Sequence, residues 1–344
     1  MTWLIGLIFL SSLFLTGVLR AYAVKKKLMD YPNARSSHAV ATPRGGGLAI
    51  VISFSFAVAV LYTLGSLGLE YLLAFVVAGG MVAAIGYWDD HGHIPARWRI
   101  VVHFVAAGLV MFWLDGSVPI QLGSIDLRFG WFGYLVGAMA LVWLLNLYNF
   151  MDGIDGIASV EAITVTGGAS LISHHTGHVD GAQAPIIILQ FALLAAVLGF
   201  LLWNWPPARI FMGDVGSGFL GFVIGILAYV NVAEGLLATW SWLILLGIFL
   251  VDATITLIRR FLRRARWHEA HRSHAYQHAV RRWKSHGKVS CGVAVINAFW
   301  LLPLAWLASV HPAIGWILAF IAMLPLVGLA FWLDAGIEEE NVSA

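Results

Sequence analysis

The sequence has little charge and almost no cysteine. Its 344 residues include 20 basic and 18 acidic side chains, 11% of the chain, against about 25% in a typical soluble domain. Hydrophobic residues make up 60%, which excludes a water-soluble fold of this size. A net charge of +2 lacks the basic excess of nucleic-acid-binding proteins, so no nucleic-acid partner is expected. The single cysteine, Cys291, excludes an internal disulfide framework.

Long apolar runs are what the sequence does have. A spanning helix needs about 20 mostly apolar residues, and the runs are continuous rather than alternating, which indicates helices. We therefore predict an all-α polytopic membrane protein, a single integral-membrane domain over residues 1–344. Its eleven predicted spans are 2–22, 45–64, 71–88, 100–114, 133–150, 157–173, 185–203, 218–233, 240–258, 290–309 and 313–333. A small hairpin is predicted between Ile120 and Phe132, where glycines interrupt a partly alternating segment.

The basic residues predict the orientation. If the N-terminus lies outside and the spans alternate from there, 19 of the 20 Lys and Arg residues fall on the cytoplasmic side, and Arg128 is the exception. This asymmetry follows the positive-inside rule and places the C-terminus in the cytoplasm. The basic residues of the first run follow it, which indicates an uncleaved anchor rather than a signal peptide.

Polar clusters gather in the cytoplasmic loops. Because five such clusters face one compartment, the pattern predicts an active site built from loops at the membrane surface. The clusters lie in segments 25–44, 89–99, 146–156, 209–218 and 259–289.

Five of the acids suggest a cation site. Asp89 and Asp90 end one predicted span, Asp214 follows a glycine at another boundary, and Asp152 and Asp155 are three apart, a spacing that shares one helical face. Any one of them is equally well explained as a helix-end charge. All five on one side favour a hard divalent cation, Mg²⁺ with Mn²⁺ as an alternative, which takes oxygen ligands and bridges to phosphate.

Two further features suggest phosphate binding. Gly45–Gly47 follow Arg44 just before a predicted helix, so bare backbone N–H groups there, that of Gly46 among them, could receive an anion. Glycines also serve close helix packing. In the last loop, His271, His274 and His278 have i, i+3, i+7 spacing, which predicts one helical face.

Five motifs in this order resemble the polyprenyl-phosphate N-acetylhexosamine-1-phosphate transferases, the MraY/WecA family. They are TPRGGG (42–47), GYWDDHGHIP (86–95), NLYNFMDGIDGIAS (146–159), FMGDVGS (211–217) and HRSHAYQH (271–278). The resemblance extends over essentially the whole chain. It implies that undecaprenyl phosphate attacks the β-phosphate of a UDP-N-acetylamino sugar, with release of UMP, in the bacterial cytoplasmic membrane.

The resemblance also implies roles for single residues. Asp89 would activate the lipid phosphate with Asp90 beside it, and Asp214, with Asp90, would hold Mg²⁺. Phe211 would stack on uracil and Asp155 would hydrogen-bond it. Further nucleotide contacts are implied for Asn149, Asp152 and Arg44, and phosphate contacts for His271, His274, Arg272 and Gly46.

Two motifs differ from those of the peptidoglycan translocase, a member of the same family, and these differences narrow the range of expected substrates. The translocase-like TPTMGG is TPRGGG here, and Arg272 and Ser273 separate His271 from His274. Both differences favour an initiator of O-antigen or capsule synthesis that uses UDP-GlcNAc, UDP-FucNAc or a similar sugar. The alternative is a transporter or lipid flippase, whose acids should lie near the bilayer midplane. A homodimer is compatible with the sequence.

Overall fold

The structure, a computed structural model, describes residues 2–32, 40–92, 94–116, 120–123, 125–127, 129–176, 184–264 and 272–337. His271 lies outside the described residues, so the phosphate contact predicted for it stays a prediction.

Helices dominate the described residues. In chain order they are α1 (Thr2–Lys26), α2 (Leu48–Thr63), α3 (Leu69–His91), α4 (Ala96–Trp113), α5 (Phe132–Met151), α6 (Ile157–Thr176), α7 (Ala184–Asn204), α8 (Asp214–Ala233), α9 (Thr239–Leu245), α10 (Gly247–Leu262), α11 (Ala275–Trp283), α12 (His286–Val310) and α13 (Pro312–Trp332). Short π-helical turns interrupt α3 and α12.

Every predicted apolar run falls on a helix or, for 240–258, on the bent pair α9 and α10. Eight described helices are long and apolar enough to cross a membrane, nine if α9 and α10 form one broken span. The short α2 has 16 residues, and α6, which carries Glu161 and several hydroxyl side chains, is not among the eight. The all-α polytopic membrane fold is confirmed, whereas eleven spans and their orientation stay predictions.

Two short antiparallel pairings accompany the helices. Strand β1 (Met29–Asp30) pairs with β2 (Thr42–Pro43) on the side where the polar clusters lie. Strands β3 (Ile120–Leu122) and β4 (Ile125–Leu127) form the predicted hairpin, which is confirmed.

Helix α8 forms the centre of the bundle. It is apolar on all sides and almost entirely buried, as expected for a helix surrounded by other helices. It packs against α3 and α5, and its first turn meets the start of α2 through two glycines. A Cβ atom on Gly47 would lie 2.3 Å from the Cα of Gly216, so only glycine permits this backbone contact. The contact fixes the N-terminus of α8 beside the loop that precedes α2.

The bent pair α9 and α10 turns by 73° at Leu246. Such a break leaves backbone N–H groups without helical partners, which is tolerated in a membrane only where other groups satisfy them. The buried carboxyl group of Glu161 on α6 accepts a hydrogen bond from the backbone of Phe249. It also accepts one from Asn297 Nδ2 over 2.7 Å. Hydrogen bonding to Glu161 therefore fixes the first turn of α10, and the C-terminal end of this helix reaches the last of the polar clusters.

Candidate active site

Two cavities of opposite character meet at the N-terminus of α8. The first, here the polar cavity, has a volume of about 280 Å³ and is lined largely by charged and amide side chains, including Asp30, Arg44, Asp90, Asn149, Asp152, Asp155, Phe211, Asp214, Gln277 and His286. The second, here the apolar cavity, measures about 940 Å³ and is lined by α3, α4, α5 and α10, with Ile100, Phe104, Met139, Trp143 and Leu257 among its apolar side chains. Asn149, Gly153, Asp214 and Gln277 line both.

Asp90 holds the start of α8. Its Oδ1 accepts the backbone N–H of Asp214 over 3.1 Å, and its Oδ2 accepts that of Val215 over 3.2 Å. A carboxylate at this end of a helix satisfies unpaired donors and complements the helix dipole. Gly213 makes the turn possible: its φ is +75°, and a Cβ there would lie 2.5 Å from Asp90 Oδ2. Asp90 lines the polar cavity, and its two oxygens hold the first two N–H groups of α8, those of Asp214 and Val215.

Arg99 links the two remaining predicted catalytic carboxylates. Its Nη1 lies 2.5 Å from Asp89 Oδ2 and 2.9 Å from Asp214 Oδ2. Asp89 Oδ1 also accepts the backbone N–H of Ile94 over 2.8 Å. Because Arg99 lines the apolar cavity, this cation lies where the apolar lining gives way to carboxylates.

The glycine-rich turn packs against the loop before α8. The N–H of Gly46 donates to the carbonyl of Phe211 over 2.9 Å, and that of Gly47 donates to the carbonyl of Met212 over 2.9 Å. A Cβ on Gly46 would lie 2.7 Å from the ring of Phe200. Gly46 therefore serves close packing, which corrects the expectation that its N–H is bare for an anion. Arg44 lines the polar cavity and donates to the backbone carbonyl of Asp90.

The segment after α5 supplies the other predicted acids. Asp152 and Asp155 lie in a turn between α5 and α6 rather than on a helix, so the helical-face argument is wrong. Both nevertheless line the polar cavity, together with Gly153 and Ile154 of the same turn. Asn149, in the last turn of α5, hydrogen-bonds the Asp214 carboxyl and donates to Ser217 Oγ over 3.1 Å.

Crowding of like charges marks the polar cavity. Burial raises the pKa of the Asp152 carboxyl well above its usual range. The negative charges of three neighbouring carboxylates raise this pKa further: Asp214, Asp90 and Asp155. Their oxygens are the kind of ligand that Mg²⁺ takes, commonly one or two carboxylates together with substrate phosphates. Among the described residues, no three His, Cys, Asp or Glu side chains converge to form a metal site by themselves.

Phe211 and Asp155 lie on the polar cavity wall, and hydrogen bonds hold each of them in place. The N–H of Phe211 donates to the carbonyl of Pro43 over 2.8 Å, which ties its loop to β2. Asp155 Oδ2 accepts the N–H of Ala208 over 3.0 Å, and its Oδ1 lies 3.3 Å from Nδ1 of His286. Both residues line the cavity as the sequence predicts, and the proposed contacts with a base stay predictions.

The described histidines of the last loop do not lie on one helix. Helix α11, which carries His278, begins at Ala275, and His274 precedes it in extended conformation, so the predicted helical face does not include His274. His274 lines the apolar cavity, as do Asp214 and Asn149. Arg272 is not among the described residues lining either cavity, and its carbonyl accepts from Arg281 over 3.1 Å.

Sequence reasoning missed three residues of this region. Arg99 was counted only for topology, although it follows the acidic motif in the first turn of α4. His286 lies eight residues beyond the histidine motif, and no spacing pointed to it. Asp252 carried a usable signal, because an acid in the middle of an apolar run is costly in a bilayer and usually has a function.

Comparisons with known proteins agree with this architecture. Residues 72–232 match the model of glycosyl transferase family 4. The probable undecaprenyl-phosphate N-acetylglucosaminyl 1-phosphate transferase of Bacillus subtilis (strain 168) is 31% identical over 288 residues, which cover 80% of this chain and 76% of that protein. The decaprenyl-phosphate N-acetylglucosaminephosphotransferase of Mycolicibacterium smegmatis is 34% identical over 228 residues, 62% of this chain and 55% of that protein.

Similarity to the first relative extends over most of both chains, and the matched family segment includes three of the five motifs, those with Asp89, Asp155 and Asp214. The chain therefore belongs to glycosyl transferase family 4, the polyprenyl-phosphate N-acetylhexosamine-1-phosphate transferases of the MraY/WecA type.

Proposed function

We propose that the protein transfers an N-acetylamino-sugar 1-phosphate from a UDP-sugar to a polyprenyl phosphate, with release of UMP. One observation carries the proposal: a small polar cavity and a large apolar cavity meet at Asp214. A water-soluble nucleotide sugar and a lipid phosphate need such a pair of sites, because their reacting phosphates must approach while their other ends remain in different solvents.

The polar cavity fits the nucleotide sugar. Phe211 offers an aromatic face for the uracil, and Asp155 and Asp152 offer acceptors for base and ribose donors. Arg44, in the same lining, carries the positive charge that a diphosphate needs.

The apolar cavity fits the lipid. Its side chains from α4, α5 and α10 form an apolar path for a polyprenyl tail. Arg99 would meet the phosphate at the polar end, because a guanidinium is a strong partner for phosphate oxygens. Asp89 lies against the same guanidinium and would accept the remaining proton of the lipid phosphate as a general base.

Bond changes balance without further reactants. An oxygen of the lipid phosphate forms a bond to the β-phosphorus of the UDP-sugar while the bond from that phosphorus to the bridging oxygen breaks. UMP leaves with the bridging oxygen, and the new diphosphate stays on the lipid. Crowded carboxylates in the polar cavity fit a divalent cation, and Asp214 with Asp90 would hold Mg²⁺, which neutralises charge on the transferring phosphate.

Among amino sugars, N-acetylglucosamine is favoured because the names of both relatives specify it. The place of the reaction is the bacterial cytoplasmic membrane, since both relatives come from bacteria and the polar clusters lie on the predicted cytoplasmic side. Formation of the first lipid-linked sugar for O-antigen or another cell-envelope polysaccharide is the corresponding role.

A transfer assay tests the proposal. Purified protein in detergent would be given undecaprenyl phosphate, Mg²⁺ and UDP-GlcNAc labelled in the sugar. We expect label in the organic phase as a diphosphate-linked lipid, with one UMP released for each product. A panel of other UDP-sugars then ranks the substrates. Absence of labelled lipid with every sugar, together with lipid translocation in vesicles, would support the flippase alternative instead.

A further inference from the structure

His103 is a buried polar side chain in the wall of the apolar cavity. It lies one helical turn after Arg99 on α4, and the i, i+4 spacing places both side chains on one face of the helix. Both residues line the apolar cavity, and neither is among the described residues that line the polar cavity. His103 is 8% exposed. The imidazole therefore belongs to the space that fits the lipid, one turn from the cation that would meet the lipid phosphate.

Within the described part of the chain, the ring of His103 makes no hydrogen bond. Its Nδ1 atom is sealed from solvent and has no partner there, and no described residue bonds to Nε2. An imidazole always carries at least one N–H, and leaving a buried polar group unpaired costs free energy. Because Nδ1 is the sealed atom, Nε2 is the nitrogen that an occupant of the cavity can reach.

The charges around Arg99 explain why a phosphate there needs a second donor. Nη1 of Arg99 lies 2.5 Å from Asp89 Oδ2 and 2.9 Å from Asp214 Oδ2. When both carboxylates are ionised they outweigh one guanidinium, so an incoming phosphate meets less attraction than Arg99 alone would give. An imidazole N–H one turn away adds a donor to the phosphate oxygens.

The lining of the cavity identifies the kind of occupant. Ile100 and Phe104 accompany His103 on α4, and most of the remaining lining is apolar as well. An occupant therefore needs hydrocarbon over most of its length and a polar group at the end that carries Arg99. A cationic head would be repelled by this guanidinium, whereas the oxygens of a phosphate monoester accept hydrogen bonds from a guanidinium and from an imidazole, and charge strengthens both bonds.

We propose that His103 is a second binding residue for the phosphate of the polyprenyl substrate, and that it donates its Nε2–H to one phosphate oxygen while Arg99 contacts another. The identity of this ligand rests on the proposed function. His103 then determines affinity for the lipid phosphate and leaves affinity for the UDP-sugar unchanged, because it lines only the apolar cavity.

Two variants of His103 separate the hydrogen bond from the bulk of the ring. His103→Leu removes both nitrogens, whereas His103→Gln keeps an N–H donor at roughly the reach of Nε2. Equilibrium binding of labelled undecaprenyl phosphate is measured on the purified full-length protein in detergent, without UDP-sugar. We expect Kd to rise about 10- to 100-fold in His103→Leu, the range for a hydrogen bond to a charged group, and to stay within about fivefold of wild type in His103→Gln.

A matched control and two further ligands complete the binding test. His311→Leu, the same exchange at an exposed residue outside both cavities, should bind like wild type. Undecaprenol, which lacks the phosphate, should bind wild type and His103→Leu equally. Inorganic phosphate lacks the tail and should displace little labelled lipid; displacement at the affinity of the lipid itself would assign the site to a free anion and overturn the proposal. Equal Kd values for undecaprenyl phosphate in wild type and His103→Leu would overturn it as well.

Nuclear magnetic resonance of the ring gives a readout that a purely structural role would not change. In protein labelled with ¹⁵N-histidine, comparison with His103→Gln identifies the signals of His103. Undecaprenyl phosphate should shift the Nε2 signal, and undecaprenol should not. No shift with either ligand, or the same shift with both, would overturn the proposal even if His103→Leu does not fold. Lipid binding through His103 without any transfer would contradict the proposed function alone, whereas transfer with an unchanged KM for the lipid in His103→Leu would contradict the role of His103 alone.

Discussion

The two cavities differ in what determines them. The polar cavity is built from short loops and helix ends, and its loop residues Arg44, Asp152, Asp155 and Phe211 belong to three compact motifs. The apolar cavity is built from the sides of α3, α4, α5 and α10, and most of its apolar side chains belong to no motif, with Phe150 as an exception. Polar contacts with a substrate require particular residue types at particular positions, which appear in the sequence as motifs. A cavity for a hydrocarbon chain requires only apolar side chains, which need not form a motif.

Substitution of Asp214 should have the largest effect on transfer, because this residue lines both cavities. Asp214→Asn removes the negative charge expected to hold Mg²⁺, and transfer should fall below detection, by more than the roughly 10²–10³-fold cost of losing one preorganised electrostatic partner. The labelled-lipid assay measures it. Asp115→Asn, the same exchange at an exposed residue outside both cavities, is the control and should keep wild-type activity.

Metal removal tests the same role without a substitution. EDTA should stop transfer by the wild-type protein, and added Mg²⁺ should restore it. Full activity in EDTA would contradict the metal role.

Asp89→Asn tests the lipid side of the comparison. We expect kcat to fall by about 10²–10⁴-fold, the range for loss of a general base, while KM for the UDP-sugar changes little. A phosphate monoester has its second pKa near 6, and the low dielectric of the membrane surface raises that pKa. Raising the pH removes the lipid proton without a base, so kcat of the variant should partly recover between about pH 6.5 and 9.5 relative to wild type. A flat profile would indicate a different role for Asp89, and weakened nucleotide binding would place it in the polar cavity.

Phe211→Ala tests the nucleotide side. Stacking of a base on an aromatic ring is worth about 1–3 kcal/mol in nucleic-acid complexes, so KM for the UDP-sugar should rise roughly 5- to 150-fold. KM for the lipid should not change, because Phe211 lines only the polar cavity. Phe112→Ala removes an equally large ring from an exposed site on α4 and should alter neither KM. Equal KM values for Phe211→Ala and wild type would remove this ring from the nucleotide site.

Ala140→Phe should have the smallest effect and sharpens the comparison most. Ala140 lines the apolar cavity, and a ring there would displace part of the lipid tail. We expect KM for polyprenyl phosphate to rise about fivefold, ~1 kcal/mol of lost apolar contact, with KM for the UDP-sugar unchanged. Leu135→Phe adds a ring at a half-exposed position on the same helix outside the cavity and serves as control. A rise in both KM values would show that the cavities are not separate binding sites.

Sequence reasoning predicted the helices well, because a helix that crosses a membrane needs about 20 mostly apolar residues in a row. Each predicted apolar run lies on a helix or, for 240–258, on the bent pair α9 and α10, and the hairpin near Ile125 is present as expected. Helix limits were harder, since a helix boundary depends on capping groups that come from elsewhere in the chain. The start of α11 is the clearest case: its first N–H groups bind Asp252, 23 residues earlier, and no local pattern could show this.

In the candidate site too, local motifs were predictable from the sequence, and contacts between distant residues were not. Residues inside a motif, such as Asp155 and Phe211, line the polar cavity as the sequence predicts. Gly46 was misinterpreted because its N–H meets a carbonyl more than 160 residues away, that of Phe211. Arg99 and His286 were missed for the same reason, since their partners Asp214 and Asp155 are distant in sequence. Tertiary pairing of polar groups is therefore the part of the site that sequence reasoning misses.

The shared wall of the cavities has a consequence for inhibitor design. Since four residues line both spaces, a ligand in one cavity lies next to residues that a ligand in the other also contacts. A single molecule with a uridine head and an alkyl tail, joined by a short spacer, turns the second binding event into an intramolecular one. Effective concentration then multiplies two weak affinities, with a gain of up to roughly 10²–10⁴ over either half alone. The length of spacer that gives the tightest binding would measure the distance between the two pockets in solution.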